Sequence, residues 1–148
     1  MSDEIFTGKD LALIPVYFVG ILFVGRAIKQ YRIKNNPIYK YFLRGLMLKV
    51  LGGIGLCFIY VFYYHGGDTT GFYESSLLLS ELLTFNPEAF FSVVGGDLSN
   101  DNLYEFVRFG LCCPDYYRDH QSFSVVRLSA VLNFVSLFSY FTTTMLFA

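Results

Sequence analysis

The sequence predicts an all-α integral membrane protein, with three transmembrane helices and short amphipathic interfacial helices in one large outer loop. Three observations predict it. Hydrophobic residues make up 54% of the 148, mean hydropathy is +0.46, and only 16% of residues are charged, against roughly 25% in a soluble domain. The deficit is concentrated in three uncharged runs, which point to lipid as the solvent. The basic and acidic residues also separate along the chain instead of mixing. A net charge of -1 leaves no electrostatic footprint for nucleic acid.

The first uncharged run is Leu11 to Gly25, bounded by Lys9 and Asp10 before it and Arg26 after it. It falls short of the roughly 20 residues of a spanning helix. Ile5 and Phe6 extend it outward, and Arg26 and Lys29 can snorkel at the other end, so the first span covers about residues 6–25. A cleavable signal peptide would carry its positive charge before the apolar run and small residues after it. Here Asp3 and Glu4 precede and the basic residues follow, so a retained helix is expected.

Arg26, Lys29, Arg32, Lys34, Lys40, Arg44 and Lys49 come next, seven of the 11 basic residues and none of the 12 acids. Such a patch either binds a partner or anionic lipid, or obeys the positive-inside rule. The plainer reading is a cytoplasmic basic loop at 26–45, turning at Asn35-Asn36-Pro37. The second span, 46–64, carries Gly52, Gly53 and Gly55 for close packing and Tyr60, Tyr63 and Tyr64 as an aromatic belt. The third, 127–148, is uncharged from Leu128 onward and dotted with Ser, Thr and Asn, which are expected to face neighbouring helices. Between them, the outer loop 65–126 with Arg127 holds nine of the 12 acids against three basic residues. Residues 1–148 therefore read as a single transmembrane region with the N-terminus outside. The chain stops at Met145-Leu146-Phe147-Ala148, still inside an apolar run, which leads us to expect the amino-terminal part of a longer chain.

The outer loop is patterned. Phe72, Tyr73, Leu77, Leu78, Leu79, Leu82, Leu83 and Phe85 alternate with polar residues at helical spacing. Asn86-Pro87-Glu88 signals a helix start, Gly95-Gly96 its end, and Asn102 with Glu105 resembles a capping box. These pieces are too short to span and read as helices lying in the outer interface. Glu81, Glu88 and Glu105 read as solvated faces, Tyr116-Tyr117 and Phe90-Phe91 as interfacial anchors. Cys57, Cys112 and Cys113 are odd in number, and the last two are adjacent, so no disulfide framework is readable. With His120 they match no zinc spacing, and no metal or other cofactor is expected.

The segment His65-Gly66-Gly67-Asp68-Thr69-Thr70-Gly71-Phe72-Tyr73-Glu74 carries the candidate chemistry. Two glycines free the backbone to turn, with a carboxylate at the turn and a tyrosine and second acid behind it. Asp68 is the candidate general base or substrate-hydroxyl anchor, with His65, Tyr73 and Glu74 as neighbouring candidates for substrate contact. The simpler alternative is that Asp68 caps the following helix over a Gly66-Gly67 hinge. Arg127, entering the third span, is an ionisable group at membrane depth and suits bidentate phosphate binding. Its alternative is a helix-end arginine snorkelling to headgroups.

Gly67-Asp68-Thr69-Thr70-Gly71-Phe72-Tyr73 after an apolar span, together with Ser122-Phe123-Ser124-Val125-Val126-Arg127-Leu128, resembles polytopic bacterial envelope glycosyltransferases of the C-type superfamily and related O-antigen or polysaccharide polymerases, over about residues 45–148. The resemblance implies a multi-pass protein of the bacterial inner membrane that transfers sugar from a polyprenyl-phosphate-linked donor. Asp68 would be the base and Arg127 the phosphate ligand. A polysaccharide polymerase or ligase is a close alternative. From a different class comes a non-catalytic membrane subunit that scaffolds a larger complex, partnered by other membrane proteins.

Overall fold

The computed structural model describes residues 8–147, which form helices and short connections with no strand among the described residues. Ile5 and Phe6 of the expected first span, the acidic Asp3 and Glu4, and the terminal Ala148 lie outside the described residues. Two compact units divide the chain: Met1–His65 with Ser139–Ala148, and Gly66–Phe138.

In the first unit α1 runs Gly8–Arg32, 25 residues with Pro15 inside it. At 1.5 Å per residue this is roughly 37 Å, beyond the roughly 30 Å of a bilayer core. The helix does not stop at Gly25. Ala27, Ile28, Lys29 and Gln30 propagate it, and Lys29 and Arg32 fall in its last turn, where cations complement the helix dipole. Most of the loop expected from residue 26 is therefore helix, and the connection shrinks to residues 33–36. Asn36 caps the next element, its Oδ1 accepting from the Ile38 amide at 3.0 Å. A 3₁₀ turn, Pro37–Tyr41, leads into α2, Phe42–Phe58, which widens into a π turn at Ile59–Tyr63. Residues 37–63 together form a second 27-residue helix long and apolar enough to cross a membrane.

The third apolar run is not one helix. It divides into α6, His120–Val135, and α7, Tyr140–Phe147, and the count of spans rises from two to three only if this broken pair is one crossing. The break has a local cause. The Asn133 carbonyl accepts from the Phe138 amide at 2.9 Å and the Ser136 hydroxyl at 3.3 Å, diverting the helical ladder. Leu137 and Phe138 are both left at φ 55°, costly for bulky side chains.

Within the first unit α7 packs on α1 and α2, burying Val50, Cys57, Val61, Phe141 and Met145, with the Phe58 and Phe141 rings 5.2 Å apart. Leu11, Val16, Val19, Phe23, Leu48, Leu51 and Leu56 stay exposed, far more apolar surface than water tolerates in one patch. The helices are tightly packed at Gly25, where a Cβ would lie 2.5 Å from the Leu46 side chain. Gly52 and Gly55, expected to do this, have open space, and Gly53 only reaches Thr144.

The second unit contains α3 (Asp68–Phe85), α4 (Pro87–Gly95), α5 (Asn100–Arg108) and α6. Its core is Leu79, Leu82, Phe90, Val93, Phe106, Tyr117, Phe123 and Val126. α3 and α6 lie against one another along a seam of small and polar residues. There Asn133 Nδ2 donates to Ser76 Oγ at 2.9 Å and to Ser80 Oγ at 3.4 Å, and Ser80 Oγ donates to the Ala130 carbonyl at 3.3 Å. The helix expected from Asn86-Pro87-Glu88 is α4, with Asn86 Oδ1 accepting from the Ala89 amide at 3.2 Å. Gly96 ends it at φ 111°, a conformation that strains any other residue. Asn102 is not a cap. α5 starts two residues earlier behind Ser99, and Asn102 Nδ2 bonds the Asp97 carbonyl at 3.0 Å and Ser92 Oγ at 3.1 Å.

Candidate functional site

The turn into α3 is built by glycine. Gly66 and Gly67 sit at φ 142° and 155°, conformations that side chains disfavour. The helix start is then secured by Thr70, whose hydroxyl donates to the Gly67 carbonyl at 2.7 Å and accepts from the Gly67 amide at 2.8 Å. Asp68 is therefore not the cap. It is the first helical residue, exposed, and its carboxylate complements the positive end of the helix dipole.

The Asp68 carboxylate accepts a hydrogen bond from the Tyr116 hydroxyl at 3.1 Å. Tyr116 is held at φ 64°, its ring centroid 4.7 Å from that of Phe72, and its Cε2 and hydroxyl oxygen lie 3.4 Å from where a Cβ on Gly71 would stand. Burial and the Asp68 carboxylate push its phenol above the ordinary value. The result is a carboxylate, a phenol and two aromatic faces gathered on the first turn of one helix. That set can hold and deprotonate a hydroxyl lying on an aromatic surface. Sequence reading missed Tyr116, taking Tyr116-Tyr117 for interfacial anchors, because its partner lies 48 residues away. Tyr117 is buried and donates to the Ser99 carbonyl at 3.1 Å. Desolvation, and then the Asp97 charge, push its phenol up to about 12.

The other candidates scatter. His65, exposed at φ 54°, belongs to the first unit and Asp68 to the second. Tyr73 is buried, its carbonyl accepting from Ser76 Oγ at 2.6 Å. Glu74 is half-buried on α3. Arg127 is half-buried, with Nη1 on the Val94 carbonyl at 3.4 Å and its buried Nε without a partner. It serves the C-terminal end of α4, where a cation is favourable, and its guanidinium nitrogen lies 2.8 Å from where a Gly96 Cβ would stand.

Glu105, expected to be simply solvated, accepts from Asn86 Nδ2 at 3.0 Å and from Arg108 at 3.2 Å. The Asn86 bond, ahead of Arg108, holds its carboxyl below the usual range. Asn86 and Glu105, with Glu88, Ser92, Asp101 and Asn102, line a shallow cleft of about 250 Å³. No cluster of three or more His, Cys, Asp or Glu side chains suited to a metal occurs among the described residues. Cys112 and Cys113 are exposed free thiols.

Comparison with protein-family models, curated proteins and solved structures finds no match to this chain. The resemblance to C-type glycosyltransferases gains nothing from them.

Proposed function

We propose that the chain is a multi-pass membrane protein of envelope polysaccharide or glycan assembly, and that Asp68 with Tyr116 receives a sugar hydroxyl. One observation carries this reading. Asp68 is released from capping by Thr70, and its exposed carboxylate is oriented by a phenol beside the Phe72 ring. It also follows the end of the second apolar helix, Tyr63, by only five residues of chain.

In this reaction the acceptor oxygen bonds to the anomeric carbon of a polyprenyl-phosphate-linked sugar. The bond from that carbon to the phosphate oxygen breaks, and the acceptor's proton passes to Asp68. Tyr116 orients the carboxylate, and Phe72 with Tyr116 offers a face for the sugar ring. Arg127 spends one of its five N–H donors on Val94, so any phosphate it holds is met by the others. A polymerase or ligase would use the same base.

The test is Asp68→Asn in the complete protein, assayed for sugar transfer in membranes. Loss of a general base costs about 10²–10⁴ in rate, while folding should be almost unchanged because Thr70 holds the helix start. Full activity in Asp68→Asn would refute the assignment. The scaffold reading is favoured by one feature, the second unit's internal use of Asn86, Glu105 and Asn102, which suits a rigid docking platform. It expects unchanged chemistry but lost complex assembly on disrupting that surface.

A further inference from the structure

We propose that the connected ends of α1 and α2 form a binding site for an anionic phospholipid, its headgroup phosphate held by Lys40 and Arg44 and an acyl chain lying against Ile38, Tyr39, Tyr41 and Phe42. The inference goes beyond sugar transfer and rests only on the membrane reading.

The charge here is uncompensated. No acidic residue occurs between positions 11 and 67, and among the described residues Arg26, Lys29, Arg32, Lys34, Lys40 and Arg44 make no ion pair. The apolar part is equally distinct. Ile38, Tyr39, Tyr41 and Phe42 line a cleft of about 420 Å³, and Ile38 and Tyr41 are 72% and 55% exposed, so two large side chains stand in the open beside cations. The two parts meet at one point: the Lys40 ammonium lies 4.7 Å over the ring of Tyr41, which lines the cleft. The Asn36 cap fixes the 3₁₀ turn that presents them, so the arrangement does not depend on a loose loop. An anionic lipid complements both halves at once, with phosphate for the cations and hydrocarbon for the cleft. A free anion matches only the first, and a zwitterionic lipid supplies no net charge.

The chain has no tryptophan, so Tyr41→Trp gives a single reporter that keeps an aromatic ring under Lys40. The purified Tyr41→Trp chain is reconstituted in vesicles of phosphatidylcholine containing brominated phosphatidylglycerol or brominated phosphatidylcholine, and quenching is compared. Brominated phosphatidylglycerol should quench at much lower mole fraction. Adding Lys40→Gln and Arg44→Gln should raise that fraction roughly thirty-fold, whereas Lys40→Arg with Arg44→Lys, which keeps both charges, should not. Inorganic phosphate should not displace the lipid.

Equal quenching by the two lipids overturns the proposal. So does an equal loss in an Arg26→Gln, Lys29→Gln control, which would mean a diffuse surface field, or displacement by inorganic phosphate, which would mean a free-anion site. Failure of the unmodified chain to float with vesicles sinks both this site and the membrane reading, whereas loss of lipid preference with sugar transfer intact sinks this site alone.

Discussion

Asn133 is fully buried between α3 and α6, and its replacement by alanine gives a test of what joins those helices. The bond from Nδ2 to Ser76 Oγ at 2.9 Å has good geometry and is worth about 1 kcal/mol net. The 3.4 Å contact to Ser80 Oγ is at the limit of a hydrogen bond and adds little. Alanine also leaves a void of roughly 25 Å³ in a seam that cannot fully collapse, costing about 0.6 kcal/mol. The expected loss is therefore about 1.5–2 kcal/mol. Asn133→Leu, which refills the space, should cost less, because Ser76 and Ser80 still donate to the Tyr73 and Ser76 carbonyls. The assay is reversible denaturation in detergent micelles followed by far-ultraviolet circular dichroism, run as a double-mutant cycle with Ser76→Ala. A coupling of about 0.5–1 kcal/mol is expected. A coupling indistinguishable from zero would show that the seam is held by small-residue packing alone, and the reasoning would fail.

Gly96→Ala should destabilise the second unit by about 1–2 kcal/mol, because it meets both a positive φ and the Arg127 guanidinium; in an Arg127→Ala background the added cost should shrink, as thermal midpoints will show. Tyr117, pushed up to about 12 from its ordinary 10.0, stays protonated in the folded state where an unfolded chain would ionise. Its contribution is complete below about pH 10 and is lost as pH rises through about 12. Tyr117→Phe should flatten stability over that interval, measured by denaturant titration at stepped pH. If the basic end is cytoplasmic, the exposed Cys112 and Cys113 should react with membrane-impermeant thiol reagents in intact cells. With both replaced by serine, Asn35→Cys should react only with permeant reagents, and the reverse pattern would invert the topology.

What was legible in the sequence is what neighbouring residues decide. Asn86-Pro87-Glu88 starts a helix because its cap, its missing amide and its acid all act within one turn. The first two apolar helices follow from the absence of charge over long runs, although Arg26 to Arg32 continue α1 because cations at a C-terminal turn support a helix instead of ending it. The break at Ser136–Ser139 stayed hidden inside an uncharged run, since hydropathy registers lipid compatibility and not the backbone bonds that Asn133 diverts. Asp68 stood out from its glycine turn, but the question of cap or free carboxylate is decided by Thr70, whose hydroxyl serves both Gly67 backbone groups. Tyr116 and Asp68 meet only through the tertiary fold, and no local pattern announces that contact.

The first unit is not contiguous in the chain, and this has a consequence for synthesis. Its α1–α2 hairpin emerges first, and α7, which packs on both helices, follows only after the 73 residues from Gly66 to Phe138 have been made. At about 5–20 residues per second the hairpin waits some seconds with that face uncovered. The hydrogen bond between the Ser139 hydroxyl and the buried Asp10 carboxylate joins residues 129 positions apart, so it is among the last native contacts available to a nascent chain. Ribosome stalling between residues 66 and 138 would therefore be expected to catch the hairpin open, and release past Ser139 to close it.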